Sequence, residues 1–188
     1  MRPERPHFLG IDDAPFVKGQ SQPVPVIGVL MEGHDLIEGV ALSAFPVDGD
    51  DATGFLAAWI AGLRWRAAAQ AAVLGGITLA GLGVIDLEAL ARDVGLPVLA
   101  VTRHEPANAR LVEALTAAGL VQRIPIVQRS PAASRAAPGL YVAAAGVPPE
   151  RAAALVRATI GKSRMPEPLR IAHLVGQALV LGQSRGRV

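Results

Sequence analysis

Apolar residues dominate three early segments, HFLGID (7–12), VPVIGVLMEG (24–33) and LIEGVALSAFPVD (36–48), each rich in Val, Ile or Leu and punctuated by Gly, Pro or Asp. Such runs predict strands. Their short connections predict an antiparallel meander, with EGHD (32–35) as a hairpin turn. The period then lengthens. DDATGFLAAWIAGLRWRAAA (50–69) predicts a helix capped by Asp50 or Asp51, with Phe55, Ala58, Trp59 and Leu63 on one face.

After this helix the pattern alternates. QAAVLGGI (70–77) predicts a short buried strand, DLEALARDVG (86–95) a helix capped by Asp86 and stopped at Gly95, LPVLAVTR (96–103) another strand, and ANARLVEALTAAG (107–119) a helix ending at Gly119. Strand and helix in alternation imply parallel pairing. VQRIPIVQRSPAASRAAPG (121–139) is rich in Pro, Ser and Arg and reads as an exposed connection, followed by a strand at LYVAAAGV (140–147) and two closing helices. The fold class this order predicts is α/β: a ribonuclease H-like mixed sheet of three antiparallel strands followed by alternating helices and strands, in a single domain spanning 1–188.

Composition narrows the chemistry. The chain has no cysteine, so disulfides, thiolate nucleophiles and Cys-based zinc sites are excluded. Its net charge is only +2, yet all but two of its cations are Arg, Lys18 and Lys162 being the lysines, which permits a phosphate-bearing partner. The N-terminus lacks the apolar core of a signal peptide. The uncharged run 67–85 is long enough for a membrane span, but its glycines and Gln70 divide it into a helix end, a strand and a turn. The expectation is a cytoplasmic protein outside the membrane, with the run as a candidate surface for homo-oligomer formation.

Acids gather at element ends. Asp12 and Asp13 close the first strand, and because neighbours in a strand point to opposite faces, only one of them can enter a given site. An acid there is costly to bury unless paired, hydrogen-bonded or bound to metal. A second set, Asp48, Asp50 and Asp51, lies where the third strand meets the first helix. Helix capping explains one or two of these. Should the first and third strands be neighbours, Asp48 could approach Asp12 and form an oxygen-ligand site for Mg²⁺ or Mn²⁺. Asp86 reads as a helix cap or a site residue. The glycine-rich LGGITLAGLGVID (74–86) has neither the spacing of a dinucleotide fingerprint nor that of a phosphate loop. Arg103 and His104 follow a strand at its C-terminal end, where α/β sites form. His173 reads as a partly buried structural histidine. Arg170, Arg185 and Arg187 could bind a phosphate backbone.

The segments LGIDDAPF, VDGDDAT, GITLAGLGVID, GLPVLAVTR and PEPLRIAHLVGQALVLGQSRGR, in this order, resemble the endonuclease dU family, a domain of unknown function also described as UPF0215. That family is distantly similar to endonuclease V, a metal-dependent nuclease of ribonuclease H-like fold. The resemblance implies cleavage of DNA carrying deoxyuridine or another deaminated base, with Mg²⁺ or Mn²⁺ as cofactor. Gly10-Ile11-Asp12 matches the endonuclease V first-strand motif, which selects Asp12 as principal ligand over Asp13. On this reading Asp12 and Asp48 bind the metal, Asp86 joins them in catalysis, Asp13, Asp51 and His104 support, and Arg103, Arg170 and Arg185 hold nucleic acid. One departure stands out. Relatives carry Asp at the end of the fourth strand, in DGIT, where this chain has Gly75, and AGFN becomes Ala80-Gly81-Leu82-Gly83. A two-metal site without that carboxylate loses orders of magnitude in rate unless Asp86 or Asp48 substitutes. The alternative reading is therefore a catalytically impaired member that binds nucleic acid or a protein partner without cleavage.

Overall fold

The structure is a computed structural model in which residues 5–185 are described. The three apolar runs form β1 (His7–Asp13), β2 (Val24–Glu32) and β3 (Leu36–Phe45), paired antiparallel in sequence order as the pattern predicts. The helix that follows, α1 (Ala52–Gly62), is capped by Asp51, whose side chain accepts the Gly54 amide. It ends sooner than expected, and a separate 3-10 turn covers Arg66–Ala68. Its buried face is also rotated from the predicted one: Ala52, Leu56 and Ile60 face the core, and Ala58 is exposed. The aromatics lie beside that face rather than on it. Phe55 packs on Phe45 and Trp59, and a Cβ on Gly28 would come within 3.1 Å of the Trp59 ring, so the bare glycine makes room for the indole on β2.

The chain continues through β4 (Ala71–Leu74), a small hairpin of β5 (Thr78–Leu79) and β6 (Gly83–Val84), α2 (Leu87–Val94), β7 (Val98–Thr102), α3 (Asn108–Ala117), α4 (Ile124–Arg129), β8 (Ser134–Ala137), β9 (Leu140–Ala145), α5 (Pro149–Ala158) and α6 (Glu167–Leu181). The main sheet has the order β3-β2-β1-β4-β7-β9-β8. β1, β4 and β7 run parallel. β9 does not continue the parallel set. It pairs antiparallel with β7, because the β8–β9 hairpin, turning through Pro138 and Gly139, reverses the chain before it joins the sheet. The connection 121–139 is correspondingly more structured than its Pro and Ser content suggests: it contains α4 and β8 and buries Arg123, Val127 and Ala136. Among the described residues no helix is long and apolar enough to cross a membrane, and the run 67–85 is divided among the end of a 3-10 turn, β4 and the β5–β6 hairpin.

Alternation along β1 decides what each face receives. Leu9 and Ile11 enter one core with Leu56, Ile60, Leu87 and Leu90 from α1 and α2. Phe8 enters the core on the other face with Val156 of α5 and Leu169 of α6. Each such fully buried side chain contributes about 1.5–3 kcal/mol. Gly10 lies on the α6 face, where a Cβ would collide with the backbone of Pro168 and Leu169. Gly176 repeats the device from the helix side, its missing Cβ lying 2.9 Å from Ile27 and 3.1 Å from Ala14. Two glycines thus let α6 lie directly on β1 and β2, and this close approach carries His173 over the end of β1.

Candidate active site

β1 ends at Asp12 and Asp13, and the alternation separates them as the sequence implies. Asp12 projects to the α6 face. Its Oδ2 lies 2.9 Å from His173 Nδ1, and His173 Nε2 lies 3.0 Å from Gln177 Nε2. Gln177 Oε1 accepts the Arg185 amide at 2.8 Å, which turns the amide nitrogen of Gln177 toward the imidazole. Gln177 therefore donates to Nε2, and His173 donates from Nδ1 to Asp12. The carboxylate raises the affinity of His173 for a second proton, first by this hydrogen bond and also by its charge, against partial burial and the nearby positive charge of Arg103. Taking up that proton would require Gln177 to turn and release Arg185. The Asp12 side chain is 20% exposed and that of His173 51%, so the pair is open to a ligand from solvent.

Asp13 projects to the opposite side. Burial, and then the charge of Asp12, push its carboxyl up to about 6, while the Ala80 amide holds the rise in check. The strand register places Ile11 opposite Leu74, so Gly75 is next in line beside Asp12. A Cβ at residue 75 would lie 3.3 Å from Asp12 Oδ1. The position where the family resemblance implies an Asp therefore faces the Asp12 carboxylate. Past it, Gly76, Ile77, Thr102, Glu105, Asn108 and Pro131 line a cavity of about 280 Å³ at the C-terminal ends of β4 and β7.

The other predicted acids are engaged locally. Asp48, in a left-handed conformation at φ 52°, accepts the Leu82 amide at 2.7 Å on Oδ1 and donates its own amide to Ala80 at 2.9 Å. It binds the β5–β6 hairpin. Arg123, only 6% exposed, completes this junction: it donates to the carbonyls of Leu82 and Asp48 at 2.7 and 2.9 Å and pairs with Asp50. Asp51 caps α1. Asp86 caps α2 through the Ala89 amide at 3.0 Å, and one of its oxygens takes two bonds from Arg129, at 2.9 and 2.7 Å. Burial alone would push the Asp86 carboxyl up, but the Ala89 amide and the Arg129 guanidinium outweigh it and hold the group below the usual range. A carboxylate so satisfied is not a free ligand. Substitution of the missing Asp by Asp48 or Asp86 thus finds no support in the side-chain placement.

Among the basic candidates, Arg103 is exposed and close enough for its charge to be felt at His173. The carbonyl of the exposed His104 accepts a hydrogen bond from Thr102. Arg170 donates twice to Glu167, at 2.8 and 2.6 Å. Arg185 offers its amide to Gln177, which leads back to His173 and Asp12. Arg187 lies outside the described residues. The sequence reading missed His173 as a partner of Asp12, although its spacing of four from Gln177 places both polar groups on one face of a helix that otherwise buries Leu169, Ala172 and Gly176.

A model of the family described as Endonuclease dU matches residues 4–180. The chain belongs to the endonuclease dU family. A UPF0215 protein of Methanothermobacter thermautotrophicus is 35% identical over 193 aligned residues, covering 95% of this chain and 90% of that protein. A crystal structure from Archaeoglobus fulgidus, of a protein of unknown function, superimposes with a TM-score of 0.85 at 32% identity, covering 94% of this chain and 99% of that one. Human ENDOV matches with a TM-score of 0.57 at 17% identity over 89% of this chain and 81% of its own. Endonuclease V of Ciona intestinalis, crystallised with a 24mer DNA containing an inosine followed by a ribo-adenosine, matches with a TM-score of 0.56 at 14% identity over 90% of this chain and 83% of its own. The endonuclease dU chain thus has the ribonuclease H-like fold of endonuclease V.

Proposed function

We propose that this endonuclease dU family member is a nuclease-like protein that acts on DNA containing a deaminated base, deoxyuridine or hypoxanthine, at a site centred on Asp12 and His173. The observation that carries the reading is the Asp12–His173 pair, open to solvent at the end of β1 inside the sheet. With Oδ2 accepting the Nδ1–H of His173, Oδ1 of Asp12 is the ligand-type donor, and the imidazole orients the carboxylate from behind. One carboxylate fits a single Mg²⁺ or Mn²⁺ shared with substrate phosphates, because such ions are commonly held by one or two carboxylates, with water and phosphate completing the shell. The residues here do not fit a protein-built pair of metals: no group of three ligand residues gathers at this end among the described residues. When bound, such a cation supplies Lewis-acid stabilisation of the phosphate and a lowered pKa for its water.

The chain's own residues supply the rest. Gln177 and Arg185 fix the tautomer and orientation of His173, and His173 in turn orients Asp12. The exposed Arg103 contributes positive charge for a phosphate. The cavity beyond Gly76 is a recess at this end of β4 that suits an unstacked base.

Gly75 favours a second reading, in which the protein binds nucleic acid without cutting it, since the position facing Asp12 has no side chain. Incubation with uracil- or hypoxanthine-containing DNA in Mg²⁺ or Mn²⁺ separates the two. Nicking by the native chain that disappears in Asp12→Ala supports cleavage. Salt-sensitive binding without nicking supports the second reading. The absence of both at low salt rejects the pair.

A further inference from the structure

The opposite end of β1 carries ligand-type side chains that the nuclease-like reading leaves unused. His7 begins the strand and is paired across the ladder with Glu32, the last residue of β2. The β2–β3 ladder slips between Leu30 and Met31, which leaves Glu38 as the extra residue between the paired Ile37 and Gly39. A bulge of this kind re-aims a side chain. The outcome is that His7, Glu32 and Glu38 each offer a ligand atom within 4.8 Å of the other two.

We infer that His7, Glu32 and Glu38 bind one divalent transition-metal ion, with Zn²⁺ the best chemical match. His7 Nε2 and Glu38 Oε2 stand 3.3 Å apart, long for an N–H···O hydrogen bond. Two atoms that share a tetrahedral zinc at about 2.1 Å lie about 3.4 Å from each other, so the observed separation is that of two ligands to one ion. Glu32 is held comparably loosely, 3.4 Å from Arg5 Nε. Charge points the same way: Arg5 pairs with Glu32 and Asp35, and Glu38 faces the imidazole of His7. An imidazole with two carboxylates suits Zn²⁺ better than Mg²⁺, which prefers an all-oxygen octahedron.

The site can be reached and is independent of Asp12. All three side chains are about one-third exposed, and His7 lines a cavity of about 640 Å³ together with Arg5, Gln70 and Arg151. Five residue steps along the strand carry the chain from His7 to Asp12, about 17 Å. Because the ligands come from three adjacent strands, the bound ion would clip the β2–β3 hairpin to β1 and stabilise the sheet by mass action.

The test uses the full chain carrying Asp12→Ala, stripped with chelator and titrated with ZnCl₂ and separately with MgCl₂ by calorimetry. One equivalent of Zn²⁺ is expected to bind and to raise Tm, with no saturable Mg²⁺ binding. Adding His7→Ala or Glu38→Gln is expected to weaken Zn²⁺ binding by about 100-fold while leaving the metal-free circular dichroism unchanged. Zn²⁺ binding that is absent in Asp12→Ala, or that survives both His7→Ala and Glu38→Gln, overturns the inference. The nuclease-like reading is untouched by either result.

Discussion

Gly75 stands beside Asp12 with its missing side chain directed at the carboxylate: a Cβ at residue 75 would lie 3.3 Å from Asp12 Oδ1. A carboxylate at residue 75 would therefore stand next to that of Asp12, and this chain has none there.

Gly75→Asp is expected to add a second carboxylate next to Asp12. Without divalent cations the two like charges repel, and Tm falls below that of the native chain at pH 8. With Mn²⁺ the order reverses, because the added ligand strengthens binding to the folded state. Nicking of deaminated DNA should rise by at least about 100-fold, as expected for restoring a metal-bridging carboxylate. Thermal melts with and without Mn²⁺ check the first part, and gel-based nicking checks the second. A Tm difference indifferent to Mn²⁺ counts against the placement of residue 75.

Close packing of α6 predicts that Gly10→Ala is severe. The added methyl would meet the backbone of Pro168 and Leu169, which cannot rotate away as a side chain could. Overpacking against backbone destabilises by about 3 kcal/mol or more. Urea denaturation measures it, and a loss below about 1 kcal/mol would contradict the helix–sheet contact.

Stability should depend on pH through Asp13. Its carboxyl is pushed up to about 6 from 3.8, chiefly by burial and next by the charge of Asp12. A group whose folded pKa exceeds its unfolded pKa contributes stability fully below the unfolded value and loses that contribution as pH rises through the folded value, here between about 4 and 6. Asp13→Asn keeps an acceptor for the Ala80 amide and removes the charge. The variant is expected to melt higher than the native chain above pH 7, with a gain that shrinks as pH falls toward 4. A pH-independent difference would contradict the assignment.

Arg123 ties the turn after β3 to the tip of the β5–β6 hairpin through Leu82, Asp48 and Asp50. Arg123→Ala leaves the Leu82 and Asp48 carbonyls without that donor, with an expected loss of about 3 kcal/mol, little of it from the exposed Asp50. Chemical denaturation checks the loss, and limited proteolysis should show earliest cleavage at 79–83.

The meander was legible because each of its strands is a long apolar run closed by turn residues, and the caps, Asp86 and one of Asp50 and Asp51, because an acid precedes each helical period. The direction of β9 was hidden because β8, Ser134–Ala137, lies in a segment whose Pro, Ser and Arg read as an exposed connection; the informative signal was the Pro138-Gly139 pair, a turn between two short segments. Periodicity placed Phe55 and Trp59 on the inner face of α1, but the glycine at 28 opened space for Trp59 elsewhere on the sheet. At the site, strand alternation separated Asp12 from Asp13 correctly. The local engagement of Asp48 and Asp86 was not legible, because an acid at a turn or helix start can be satisfied by amides nearby in space or sequence, and here both accept one. His173 was missed because its partner lies 161 residues away, and only the glycine-mediated approach of α6 to β1 brings the two together.

The most direct measurement is nicking of a hypoxanthine- or uracil-containing duplex at single-turnover protein excess in Mn²⁺, comparing the native chain with Asp12→Ala and His173→Ala. The account predicts slow cleavage by the native chain, none by Asp12→Ala and a large reduction in His173→Ala, with all three binding the DNA in a salt-sensitive manner. Equal cleavage by the native and Asp12→Ala chains, or no binding of any DNA at low salt, would contradict it.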